Sequence, residues 1–137
     1  MPENRLAAID IGTNSIRCIV VEIDKKQGFR VLDDEKAMVR LGEGLSETGR
    51  ISPAAWERAR EALLRMRMIT DGLGASFIEA VATSAVRKAG NGQDFVAAMK
   101  EETGVSIRVI DGEEEAELAA LSARHHFDMK TARLGLL

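Results

Sequence analysis

The sequence predicts an α/β domain built on a mixed five-stranded sheet, in which three antiparallel strands are followed by two βα steps. Two observations carry that prediction. Residues 6–11, 16–23 and 29–40 are β-rich runs separated only by short polar turns, which is the pattern of an antiparallel meander. From residue 53 onward, helical and strand signals alternate, as they do when strands are laid parallel. Size and composition agree. A chain of 137 residues with 45% hydrophobic and 30% charged residues suits one globular domain. A domain of that length buries roughly two-thirds of its unfolded surface.

The first strand is Leu6-Ala7-Ala8-Ile9, and it delivers Asp10 into the turn Gly12-Thr13-Asn14-Ser15. The second strand follows at once, with Arg17 near its start and Cys18 inside it. Asp24-Lys25-Lys26-Gln27-Gly28 is a charged turn, and Phe29 to Arg40 forms the third strand. The glycine-punctuated stretch Leu41 to Ile51 reads as a loop. Ser52 caps a helix over 53–71, with Pro53 at its first position, where a missing N–H is harmless. Trp56, Ala59, Leu63 and Met66 make the apolar face of that helix; Glu57, Arg60, Glu61 and Arg65 make its wet face. Met66 and Met68 read as core filling.

Phe77 to Thr83 is a short apolar run of the buried-strand type, followed by a polar turn over Ser84–Lys88. Asn91 is placed to cap a helix over 93–103 that Gly104 stops. Val105 to Ile110 is the fifth strand. Asp111-Gly112 then opens a last helix, Glu113 to about His126, with Ala116, Ala119, Ala120 and Ala123 on a small-residue face. Ala132 to Leu137 resembles the start of a sixth strand, so the expectation is a truncated lobe spanning residues 1–137.

Several function classes are excluded or disfavoured. A net charge of −3 argues against nucleic acid held on a broad basic surface. No apolar run approaches the ~20 residues of a membrane span, and Met1–Asn4 carries no signal-peptide pattern. One cysteine cannot form an intrachain disulfide, and the cytoplasm is the expected location. There is no P-loop and no dinucleotide-binding glycine pattern. His125 and His126 are adjacent, so on a helix they point apart and do not suit one metal.

Residues 10–17 carry the chemistry that stands out. A carboxylate (Asp10), a turn with one glycine, two hydroxyls and an amide (Gly12, Thr13, Asn14, Ser15), and a guanidinium (Arg17) lie within one short stretch. Successive N–H groups in such a turn form a concave donor site for phosphate. An ordinary polar hairpin turn uses the same residue types. Arg87 beside Lys88 is equally compatible with a solvated turn, and Glu113–Glu115 with compensation of a helix dipole.

The chain resembles the N-terminal lobe of the exopolyphosphatase/guanosine pentaphosphate phosphohydrolase family. Four segments carry the likeness in order: Ala8 to Arg17, Val39 to Leu45, Ala82 to Arg87 and Ile110 to Ala116. The resemblance implies half of an actin-like (ribonuclease H-like) ATPase fold. It also implies hydrolysis of the terminal phosphate of inorganic polyphosphate or of the 5′ end of pppGpp, with a divalent cation, magnesium, assisting. It assigns Asp10 to the metal and to catalysis, and Glu115 to activation of water. Gly12, Thr13, Asn14, Ser15, Arg17, Thr83, Ser84 and Arg87 would hold phosphate. Glu117 stands where the family usually has arginine. Relatives continue into a second glycine-rich phosphate loop that this sequence lacks, so the chain alone is expected to be inactive. A homodimer of the full-length protein stays open. So do two other functions: a phosphotransferase of the same superfamily, and a non-catalytic module binding polyphosphate or alarmones.

Overall fold

The computed structural model describes residues 4–24 and 28–117. Three strands open the chain: β1 (Arg5–Ile11), β2 (Ser15–Asp24) and β3 (Gly28–Met38). The short helix α1 (Leu45–Thr48) and the long helix α2 (Pro53–Gly72) follow. Then come β4 (Phe77–Ala82), α3 (Ser84–Lys88), α4 (Gly92–Thr103) and β5 (Ile107–Val109). Residues 112–117 are again helical. The sheet order is β3-β2-β1-β4-β5. β1–β2 and β2–β3 are antiparallel, while β1–β4 and β4–β5 are parallel. This is the predicted mixed sheet, three antiparallel strands and two βα steps, with β1 at its centre.

Alternation along the strands decides which face is covered. Ile9, Ile11, Ile16, Cys18 and Val20 are buried, whereas Ala8, Asp10 and Arg17 are exposed on the other face. α2 packs on the buried face against β2 and α4, and α4 packs against β5. Ala55, Ala59, Leu63 and Met66 of α2 meet Phe95 and Met99 of α4 in one core, each large side chain worth about 1.5–3 kcal/mol when fully buried. Trp56 stands edge-on to Phe95 at 5.3 Å. Burial, with Asp33, Glu35 and Asp34 nearby, pushes the Cys18 thiol up to about 11, so it behaves as a small apolar residue.

The caps behave largely as the sequence predicts. Ser52 accepts a hydrogen bond from the Ala55 amide, Pro53 opens α2, and Gly104 ends α4 with φ +76°. Asn91 sits at the N-terminus of α4 but does not cap it. Its side chain instead takes the Ile51 N–H on Oδ1 (2.8 Å) and donates Nδ2–H to the Ile51 carbonyl (3.1 Å). Both groups of a buried backbone residue are thereby satisfied, which a cap bond could not achieve.

Four other expectations change. Ser84–Lys88 is helical, because the Arg87 amide bonds back to the Thr83 carbonyl and the Ala89 amide to that of Ala85. The loop over 41–51 contains α1, held between two left-handed glycines, Gly44 and Gly49. The fifth strand pairs with β4 over only three residues. Met68 is 74% exposed while Met66 is fully buried, since residues two apart on a helix point to nearly opposite sides. The remainder of the last helix, His125, His126 and the strand start at 132–137 lie outside the described residues.

Candidate functional site

β1, β4 and β5 run parallel, so their carboxyl ends gather at one edge, where ligands bind in open α/β sheets. Asp10 is at the end of β1, Thr83 and Ser84 follow β4, and Ile110 and Asp111 follow β5. Three segments distant in sequence therefore meet by topology. They surround a cavity of about 450 Å³ lined by Asp10, Gly12, Thr13, Thr83, Ile110 and Glu115, with Ala8, Ile9, Glu79 and Val81 on the sheet side.

The turn after β1 is held by its own backbone and by the segment after β3. Gly12 donates to the Ser15 carbonyl at 2.9 Å, and a Cβ on Gly12 would sit 3.3 Å from that oxygen. The Asn14 carbonyl accepts from the Val39 (3.1 Å) and Arg40 (2.9 Å) amides, and the Thr13 carbonyl accepts from Gly42 (3.0 Å). Arg40 reaches that position with φ +56°. With the loop carbonyls so engaged, the amides of Thr13 and Asn14 have no acceptor among the described residues. The Thr13 and Ser84 hydroxyls lie 3.0 Å apart and link the loop to the start of α3. Thr83 is buried and donates its amide to the Ile11 carbonyl at 3.1 Å, which fixes the crossing from β4 to α3 beside β1.

Glu115 is positioned from two sides. Asp111 caps its helix, accepting the Glu114 amide on Oδ1 at 2.8 Å. Arg87 donates to the Ile110 carbonyl at 2.8 Å and brings the same guanidinium nitrogen within 4.0 Å of the Glu115 carboxylate. Asp10 faces the same cavity. Although Asp10 is exposed overall, its carboxyl is partly shielded from solvent in the cavity, and its pKa is raised, by that partial burial first and by the Glu115 charge second, against a smaller lowering by Arg17. No side chain among the described residues hydrogen-bonds the Asp10 carboxylate.

Arg17 sits directly across from Asp10 in the β1–β2 register. Its guanidinium is engaged elsewhere, in a two-pronged pair with Asp34 at 2.9 and 2.7 Å. That pair lowers the Asp34 pKa and raises that of Arg17. Of the residues singled out from sequence, Asp10, Gly12, Thr13, Thr83 and Glu115 line the cavity. Ser84 and Arg87 touch that set from behind, Asn14 and Ser15 complete the loop, and Arg17, held by Asp34, does not line the cavity. Asp111 opens the last helix as its Asp-Gly pair predicts, Gly42 lies in the glycine-punctuated segment read as a loop, and Glu79 carries no sequence signal. Nothing in the sequence brings Gly42 against Thr13.

The model of the Ppx/GppA phosphatase family matches residues 3–136. Exopolyphosphatase 1 of Mycobacterium leprae is 30% identical over 130 residues, covering 95% of this chain and 38% of that protein. The crystal structure of the Aquifex aeolicus Ppx/GppA family member superposes with a TM-score of 0.78 at 32% identity, over 81% of this chain and 36% of that one. An exopolyphosphatase from Cytophaga hutchinsonii gives 0.80 at 36% identity, over 83% and 36%. The protein EutJ from Carboxydothermus hydrogenoformans, at 16% identity and a TM-score of 0.53 over 88% of this chain and 41% of that one, shares the fold alone. The chain thus spans well under half the length of these proteins.

Proposed function

This chain belongs to the Ppx/GppA phosphatase family, and on that premise we propose that it is the N-terminal part of an enzyme that hydrolyses the terminal phosphoanhydride of polyphosphate or pppGpp. The observation that carries the reading is that Glu115 and Asp10 line one cavity with the donor-bearing turn at Thr13. Anhydride cleavage asks little covalent work of a protein: a water must be placed, and charge must be neutralised on several oxygens. The free amides of Thr13 and Asn14, with the hydroxyls of Thr13 and Ser84, are donors suited to a terminal phosphate. Glu115 is the acid suited to accept a proton from the attacking water, and Arg87 the group that steers its carboxylate. Arg17, opposite Asp10 in the strand register, would add a charged donor once its pairing with Asp34 opens.

The donor set suits a divalent cation. Asp10 and Glu115 offer hard oxygen ligands, and burial makes an uncompensated charge on Asp10 unfavourable. Among the described residues no group of three or more His, Cys, Asp or Glu side chains gathers as a cage. That fits magnesium, which keeps most of its waters and takes further oxygens from phosphate. When bound at Asp10, the ion would neutralise charge on the phosphate oxygens.

The test uses the full-length protein, with phosphate release measured on polyphosphate and on pppGpp, with and without magnesium. Glu115→Gln should lower kcat by about 10²–10⁴ with little change in substrate affinity. An unchanged kcat would remove Glu115 as the base. Consumption of polyphosphate that requires ADP would favour the phosphotransferase reading.

A further inference from the structure

Glu79 is a cavity-wall carboxylate for which the proposed reaction has no use. It lies on β4 opposite Ala8, one same-face step (about 6.6 Å) from Val81, which is itself opposite Asp10. A bare carboxylate there would repel any polyanion entering the cavity. The neighbouring strand supplies a counter-charge. Arg108 of β5 is in register with Val81 and places one guanidinium nitrogen 3.0 Å from Glu79 Oε1. The other nitrogen sits 2.7 Å from Glu114 Oε2, in the first turn of the helix that carries Glu115. Glu115 lines the cavity; Glu114, held by Arg108, does not.

One guanidinium fork thus joins the acid on the cavity wall to the acid beside the proposed base. All three side chains are about half exposed, and pairs of that kind add little to folding stability. Stability alone therefore gives no strong account of the arrangement. We infer that Arg108 is a positioning residue for the anion site: it masks the charge of Glu79 from a polyphosphate-like substrate and keeps Glu114 out of the cavity. This rests on the phosphoanhydride-hydrolase reading given above.

The experiment compares equilibrium binding and turnover of medium-chain polyphosphate in the full-length protein. Arg108→Gln should weaken binding and raise KM by about two- to fivefold, the effect shrinking at high salt, with kcat within about twofold of wild type. Adding Glu79→Gln to that variant should restore part of the affinity, Glu114 remaining released, which a purely structural role of Arg108 would not produce. Arg108→Lys gives up the two-pronged fork but keeps the positive charge that masks Glu79, so its affinity stays within about twofold of wild type. It serves as the deciding variant if Arg108→Gln does not fold. Wild-type affinity in Arg108→Gln, failure of Glu79→Gln to restore part of the affinity, or a loss of about fivefold or more in Arg108→Lys overturns the inference. Binding measured in the Glu115→Gln background separates the two proposals. Unchanged turnover on Glu115→Gln removes Glu115 as the base, absence of phosphate release by the wild-type protein defeats the hydrolase reading, and the binding series alone decides Arg108.

Discussion

Replacing Gly42 by alanine puts a methyl group 2.4 Å from Cγ2 of Thr13. Carbon–carbon contacts are favourable at about 3.5–4.0 Å, so the overlap is about 1 Å. Gly42 has no left-handed backbone angle, and alanine is otherwise permitted there. Two relaxations are open. If the chain segment yields, the cost is that of overpacking, about 1–3 kcal/mol. If Thr13 rotates about χ1 instead, its methyl clears, but its hydroxyl leaves Ser84 and about 0.5–1.5 kcal/mol is lost. Stiffening of the unfolded chain returns about 0.4–1 kcal/mol in either case. The expected net loss is about 0.5–2 kcal/mol. Urea unfolding of Gly42→Ala, Thr13→Ser and the double variant measures it. Thr13→Ser removes the clashing methyl and keeps the hydroxyl, so the double variant should recover at least half of the loss. Strict additivity of the two single variants would refute the argument that the Val39–Leu45 segment shapes the loop through this contact.

Two further outcomes follow from single side chains. Asn91→Ala strands the buried N–H and C=O of Ile51 and should lower stability by about 2–4 kcal/mol, seen as a lower urea midpoint with unchanged slope. A loss below about 0.5 kcal/mol would mean that water replaces both bonds. Asp10→Asn should abolish turnover yet stabilise the fold at neutral pH. Because the folded pKa of Asp10 is raised, its protonated form favours the folded state. That benefit is complete below the ordinary carboxylate range and is lost as pH rises through the raised folded value. Asp10→Asn and wild type should therefore unfold alike near pH 3 and diverge by pH 7, with the variant ahead by less than about 1 kcal/mol. A variant less stable than wild type at pH 7 would contradict this sign.

The strands, their antiparallel or βα character and the main helices were legible because they depend on periodicity, short turns and caps such as Ser52 and Gly104, which act within a few residues. The turn after β1 was legible for the same reason. Asn91 was not, since its partner Ile51 lies 40 residues away, and a cap residue and a bridging residue look identical in sequence. Arg17 shows a similar limit. Its position across from Asp10 follows from a tight hairpin, but its engagement with Asp34 depends on the neighbouring strand β3. Met68 was misplaced because it was grouped with Met66 by residue type, although the helical period that aligns Met66 with Ala59 and Leu63 turns Met68 outward. The cavity itself depends on β1, β4 and β5 ending at one edge, a property of topology, so Glu79 and Arg108 gave no local signal.

The convergence of the Thr13–Asn14 turn with the helix start at Glu115 is tested most directly by titrating a short polyphosphate and magnesium into the isotopically labelled chain and following its backbone amide resonances. The amides of Thr13, Asn14 and Glu115 should shift together along one binding curve, and Asp10→Asn should weaken that curve for all three. Shifts at the turn with a silent Glu115, or separate curves for the two segments, would contradict a shared site.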